Sequence, residues 1–195
     1  MPFIAQWSGE RDGDMPVVLR RGLRGIGYAN ERSFDRDSYG ILWSRTPSQP
    51  GRGVPEYGKV HSLRQRLCMA GLRCQVCGGP ADRTAEGVLW LLDAPADDLR
   101  PGAEHTAHPP VCRPCAHQAV RSCVHLRARY VAVRASAFTF YGVQGAVYQG
   151  TLSGPRVYDA AAVRLGDPRL SWTRASQLLM TLTDFTVIDL SDPTT

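Results

Sequence analysis

The sequence predicts an α+β fold built around a bound metal. Three observations carry this expectation. Two Cys-x-x-Cys pairs stand far apart in the chain, helical apolar spacing flanks both pairs, and short β-type runs fill the ends. The three parts divide the chain into a β-rich N-terminal segment (1–58), a metal-binding core (59–130) and a C-terminal part with strands and a helix (131–195). All three are expected to pack as one unit.

The N-terminal segment holds "FIAQW" (3–7), "PVVLRR" (16–21), "IGYA" (26–29) and "GILWSR" (40–45). These are short β-branched or aromatic runs broken by Gly, Asp and Asn, which is the pattern of strands and turns. "RRGLRGIG" lacks the G-x-G-x-x-G spacing and the G-K-S/T ending of a phosphate loop, so it reads as a glycine-rich hairpin. "TPSQPGRGVPEYG" (46–58) has three Pro and three Gly, which predicts a loop.

"KVHSLRQRLCMAGL" (59–72) predicts an amphipathic helix ending at Gly71. Its expected inner face is Val60, Leu63, Leu67 and either Cys68 or Ala70, with Arg64 and Arg66 turned away. "GVLWLLDA" (87–94) predicts a buried strand, and 95–110 a loop, acidic at first. "VCRPCAHQAVRSCVHLRARY" (111–130) opens with the second Cys pair and turns helical, with Ala116, Val120, Cys123 and Val124 on one face and His125 turned elsewhere. Residues 130–149 predict one or two strands turning near Gly142 or Gly145, followed by a loop rich in Gly and Pro. "DPRLSWTRASQLLMTL" (167–182) predicts a helix with an Asp cap and Pro in its first turn, and "FTVIDL" (185–190) a final strand.

The composition is that of an ordinary globular protein, 43% hydrophobic and 21% charged. No run approaches the ~18 apolar residues of a membrane helix, and the start lacks the apolar core of a secretory signal. The expected compartment is therefore a reducing cytoplasm, where paired cysteines bind metal rather than form disulfides. Cys74 and Cys77 form the first pair and Cys112 and Cys115 the second, with 34 residues between them. Four thiolates in this spacing match a closed, tetrahedral, structural zinc site. Cys68 and Cys123 belong to no pair, and Cys68 reads as a small buried residue.

The net charge is +5. Lys59 is the only lysine among the 23 basic residues, a bias that a G- and C-rich coding sequence also produces. Residues 41–81 hold six basic groups and one acid, and residues 105–134 hold five arginines and no acid. Both stretches touch a Cys pair, so a shared metal would bring basic surface together and attract an anionic partner. The candidate phosphate contacts are Arg64, Arg66, Arg73, Arg113 and Arg121. The expected partner is nucleic acid or an acidic protein, with no membrane involved. No G-x-S-x-G, H-E-x-x-H or dinucleotide fingerprint is present to suggest another enzyme.

The order knuckle, apolar strand, then helix opening at the second Cys pair resembles the treble-clef zinc fold. "VCRPCAHQA" also resembles the helix start of HNH-type endonucleases, many of which are built on a treble clef. The resemblance spans about residues 74–126. The phrases "RCQVCGGPAD", "GVLWLL" and "PPVCRPCA" together also resemble actinobacterial proteins, which implies no function. The HNH resemblance implies an alternative reading, a divergent metal-dependent nuclease using His105, His108, His117 and Asp93 or Glu104. Ala116 stands where that family has its helix histidine. His117 follows one place later, about 100° around the helix.

Overall fold

The computed structural model describes residues 1–11, 15–94, 99–100, 104–123, 126 and 129–191. Within them the fold is mixed α and β, mostly strands, with two α-helices. The chain divides into two units assembled from separated segments. Unit 1 comprises Met1–Ile4, Arg64–Phe140 and Leu179–Thr195; unit 2 comprises Ala5–Leu63 and Tyr141–Leu178. No helix among the described residues is long and apolar enough to cross a membrane.

Unit 1 contains most of α1 (Ser62–Ala70), β6 (Arg83–Thr84), β7 (Gly87–Leu92), β8 (Glu104–Thr106) and α2 (Arg113–Ser122). It also takes the first part of β9 (Val131–Thr151) and the last part of β11 (Thr173–Ile188). β6 pairs antiparallel with β7, and β7 with β9 in the register Trp90↔Val133. β11 lies on the other side of β9, and β8 pairs with it antiparallel, Thr181 opposite His105. Alternation along β7 sends Leu89 and Leu91 to one face, where they pack with Cys74, Val111, Ala116, Ala132 and Leu190. Burying each such leucine stabilises by about 1.5–3 kcal/mol. The expected acidic loop at 95–110 contains β8, while 95–98 and 101–103 lie outside the described residues, as do Val124 and His125.

The helix expected at 59–72 is α1, but with the opposite face inward. Leu63 and Leu67 are exposed, while Arg64, Gln65, Cys68 and Met69 are buried. Both stripes have helical spacing. The polar one turns inward because its groups find partners there: Gln65 Nε2 donates to Ala107 O at 2.7 Å and Cys68 Sγ to Cys74 O at 3.7 Å.

Unit 2 pairs β1 (Ala5–Trp7) with β5 (Pro55–Val60) and β2 (Val17–Leu19) with β3 (Ile26–Tyr28), the expected glycine-rich hairpin. β4 (Leu42–Trp43) runs parallel to β11, and β10 (Gly154–Arg164) antiparallel to β9. Ile26, Tyr28, Leu42 and Tyr148 form its core cluster. Four local expectations change. The 46–58 loop ends early, since β5 begins at Pro55. Gly142 and Gly145 make no turn; they let neighbouring strands approach a continuous β9. A Cβ at Gly145 would lie 2.4 Å from Arg174 O. The Gly/Pro-rich loop after β9 is mostly β10.

The fourth change is the C-terminal helix. Asp167 does cap, accepting from Arg169 N at 2.8 Å, and Pro168 does open a turn, but that turn is a single 3-10 stretch, Pro168–Trp172. From Thr173 the chain is β11. Its backbone is satisfied from both edges, by β9 on one side and by β4 and β8 on the other. Pairing on both edges outweighs local helical spacing.

Candidate metal centre

The first Cys pair sits in a tight knuckle. Cys74 N donates to Gly79 O at 2.7 Å and Gly78 N to Cys74 O at 2.8 Å. Gly78 takes a φ of 75°, and a Cβ there would meet the Phe3 ring at 3.0 Å, so both conformation and contact require glycine. Phe3 N donates to Val76 O at 2.8 Å and Ile4 N to Gln75 O at 3.2 Å, which holds the outer side of the knuckle. Gln75 N donates to Pro110 O at 3.0 Å, tying the knuckle to the approach of the second pair. Asp82 N donates to Val111 O at 2.9 Å and Val111 N to Leu89 O at 3.0 Å, so β7 fixes that approach from the other side.

Cys112 is the N-cap of α2, in an extended conformation, and Cys115 stands in the first turn beside Pro114. Ala116 N donates to Cys112 O at 2.9 Å, which closes that turn, and Ala116 itself is buried. The four sulfurs of Cys74, Cys77, Cys112 and Cys115 lie within 4.8 Å of one another, and Cys77 Sγ is 3.9 Å from Cys112 Sγ. None of the four is in a disulfide. A tetrahedral ion with metal–sulfur bonds of about 2.3 Å would set sulfur–sulfur edges of about 3.8 Å. The residues therefore fit a metal with four thiolate ligands.

The electrostatics fit the same conclusion. Burial pushes the Cys74 thiol up, but backbone N–H groups of Cys112, Cys77 and Val76 outweigh it and hold Cys74 below its ordinary value. Burial and neighbouring sulfurs push Cys112 and Cys115 up. Sulfurs this close repel one another as anions, and a cation among them removes that repulsion. Cys68 lies outside the cluster, and burial raises its thiol to about 11.

The predicted phosphate contacts fare unevenly. Arg73 and Arg121 are exposed, and Arg66 and Arg113 are half-buried. Arg113 Nη2 donates to Leu190 O at 3.4 Å and Arg121 Nε to His117 O at 3.1 Å. Arg64 is 3% exposed with its guanidinium 6.0 Å over the Phe3 ring, so it is a core residue and not a phosphate contact. The basic stretch 105–134 is also less free than its composition implies. Arg134 is buried and paired with Asp82 at 2.7 Å, and Arg129 pairs with Asp93 at 3.2 Å. Arg127 lies outside the described residues.

The alternative nuclease residues do not come together as a metal site. Among the described residues, the four cysteines are the one set of three or more His, Cys, Asp or Glu side chains placed to share an ion. His105 Nδ1 bonds Thr181 Oγ1 at 2.8 Å, Asp93 is paired with Arg129, and His117 is half-buried on α2. Sequence reasoning missed an aromatic cleft in unit 2. Its residues come from segments 147–150, 158 and 169–172, which share no motif. Comparison with protein-family models, curated proteins and solved structures found no match to this chain.

Proposed function

We propose that Cys74, Cys77, Cys112 and Cys115 hold one structural zinc ion, and that the unit it orders is a nucleic-acid-binding module. The observation that carries the reading is the closure of four sulfurs from two distant segments within 4.8 Å of one another. Four thiolates leave no position for water or substrate, so such an ion shapes the chain rather than reacts. The succession of knuckle, β6–β7 hairpin and α2 supports a treble-clef-type core, with β8 inserted before α2.

Arg73 directly precedes Cys74, the first residue of the knuckle, and Arg113 and Arg121 stand on the helix that supplies the second cysteine pair. Arg66 joins them from α1. A metal that fixes knuckle and helix also fixes these cations relative to each ligand pair. Guanidinium groups suit phosphate. The test is binding of the zinc-loaded protein to duplex DNA and single-stranded RNA across a salt series. Sub-micromolar affinity that falls steeply with salt supports the reading, and Arg113→Ala with Arg121→Ala should weaken it evenly across sequences. No binding at low salt overturns the nucleic-acid reading and points to an acidic protein as partner.

A further inference from the structure

Unit 2 contains an open cleft of about 310 Å³ bounded by Tyr148, Gln149, Gly150, Tyr158, Arg169 and Trp172. Its walls come from the β9–β10 hairpin and the 3-10 turn before β11. The hairpin runs in regular register to Val157↔Tyr148 and resumes at Asp159↔Val147, which leaves Tyr158 as the extra residue of a bulge. A bulge re-aims its side chain, and Tyr158 is 51% exposed at the rim of the cleft.

The other wall is equally specific. Trp172 is half-buried and lies over Gly150, where a Cβ would come within 3.4 Å of its ring. Arg169 is held in place by Asp167, with Nη2 at 2.8 Å and Nε at 3.2 Å from the carboxylate. Much of its charge is therefore balanced locally, while its flat guanidinium lines the same cleft as the rings. Two of the rings are partly open, one planar cation lines the cleft with them, and Gln149 adds an amide that can donate and accept.

The geometry points to a stacking site for a nucleobase of a single-stranded nucleic acid, with Tyr158 and Trp172 as ring surfaces and Arg169 and Gln149 beside them. Every base has a π-face, so such a platform tolerates sequence. Arginine planes stack on bases as well. A proline-rich segment could use the same rings, but it has no π-face to lay on the guanidinium. This site belongs to unit 2 and does not require the arginines of the metal unit.

The experiment is fluorescence anisotropy of a labelled six-nucleotide single-stranded RNA with the whole, zinc-loaded protein. The Tyr158→Ala variant should weaken binding at least about fivefold, while Tyr158→Phe keeps it. Because Tyr158 is exposed, the unfolding midpoints of both variants should match the parent. Equal affinity of parent and Tyr158→Ala overturns the site, as does absence of oligomer binding by the parent. Competition by a proline-rich peptide but not by unlabelled RNA overturns it too. The Arg113→Ala/Arg121→Ala variant separates the two readings. If it removes salt-dependent binding but Tyr158→Ala has no effect, only the stacking site fails. If it changes nothing while Tyr158→Ala weakens binding, only the metal-unit reading fails.

Discussion

Cys77 and Cys112 are 35 residues apart in sequence, yet their sulfurs stand 3.9 Å from each other. One closes a knuckle and the other caps a helix. The contact is longer than any disulfide and close to the edge of a metal–thiolate tetrahedron of about 3.8 Å. The backbone bonds of Gln75, Asp82 and Val111 bring these two segments together, and the metal would lock them.

Replacing Cys112 by Ser should therefore remove the ion and loosen unit 1. Purified protein should carry one zinc per chain, measured by elemental analysis, and Cys112→Ser close to none. The thermal midpoint should fall by roughly 10 °C or more, because loss of a structural ion costs several kcal/mol. A chelator should reproduce the shift in the parent and leave the variant unchanged. A parent that binds no divalent metal, or a variant with an unchanged midpoint, would remove the structural role.

The four-cysteine cluster was the most legible part of this chain because its spacing is what metal binding requires. Two sulfurs three positions apart can reach one ion, and no tertiary information is needed to see it. The β7 strand was legible for a similar reason, since "GVLWLL" is apolar on both faces. Orientation was harder. On α1, the Leu63–Leu67 stripe and the Arg64–Cys68 stripe have the same period, and tertiary partners such as the carbonyls of Ala107 for Gln65 and Cys74 for Cys68 explain which turns inward. Residues 173–182 have helical spacing too, but partners on both sides of β11 decide the outcome. Pairing partners so distant in sequence leave no local mark.

Arg64 separates burial from surface charge. A buried guanidinium over Phe3 predicts that Arg64→Ala lowers stability by about 1–3 kcal/mol through lost packing. Arg121→Ala, at an exposed position, should stay within about 0.5 kcal/mol of the parent. Chemical denaturation of both variants checks this. An Arg64→Ala protein as stable as the parent would return Arg64 to the surface.

In unit 2, Asp35 is buried and forms an ion pair with Arg45, which also donates to Asn30 Oδ1 at 3.0 Å and stacks 4.5 Å over Tyr28. The Arg45 side chain holds the Asp35 carboxyl below its ordinary 3.8, against the opposing effect of burial. The unfolded chain then takes up this proton at higher pH than the folded one. The pair's contribution is complete above about pH 5 and is lost as pH falls through and below the ordinary carboxyl value. Arg45→Ala should cost about 3 kcal/mol at neutral pH, since it takes the ion-pair partner from a buried carboxylate and leaves it the Arg32 N–H bond. Its deficit relative to the parent should shrink on acidification, as read from urea midpoints at pH 7 and pH 3.5. A deficit that stays constant with pH would sink this account.

Gly145 tests the close approach of β9 and β11 in unit 2. It sits mid-strand, where glycine weakens a sheet unless something needs the space. Here the space is needed, because an added Cβ would lie 2.4 Å from Arg174 O and 2.8 Å from Ala175 Cα, both backbone atoms. Neither can swing aside as a side chain could. The strands would have to separate, and the Ser176 Oγ bond to Gln144 O at 3.1 Å would stretch with them. Gly145→Ala should therefore destabilise by about 1–3 kcal/mol, although alanine normally favours a strand over glycine. Gly58→Ala is the matched control, since an added Cβ there meets nothing within 4 Å. Urea unfolding of the two variants should show a lowered midpoint for Gly145→Ala alone. Equal midpoints would mean that the two strands have room to spare, and the glycine would need another explanation.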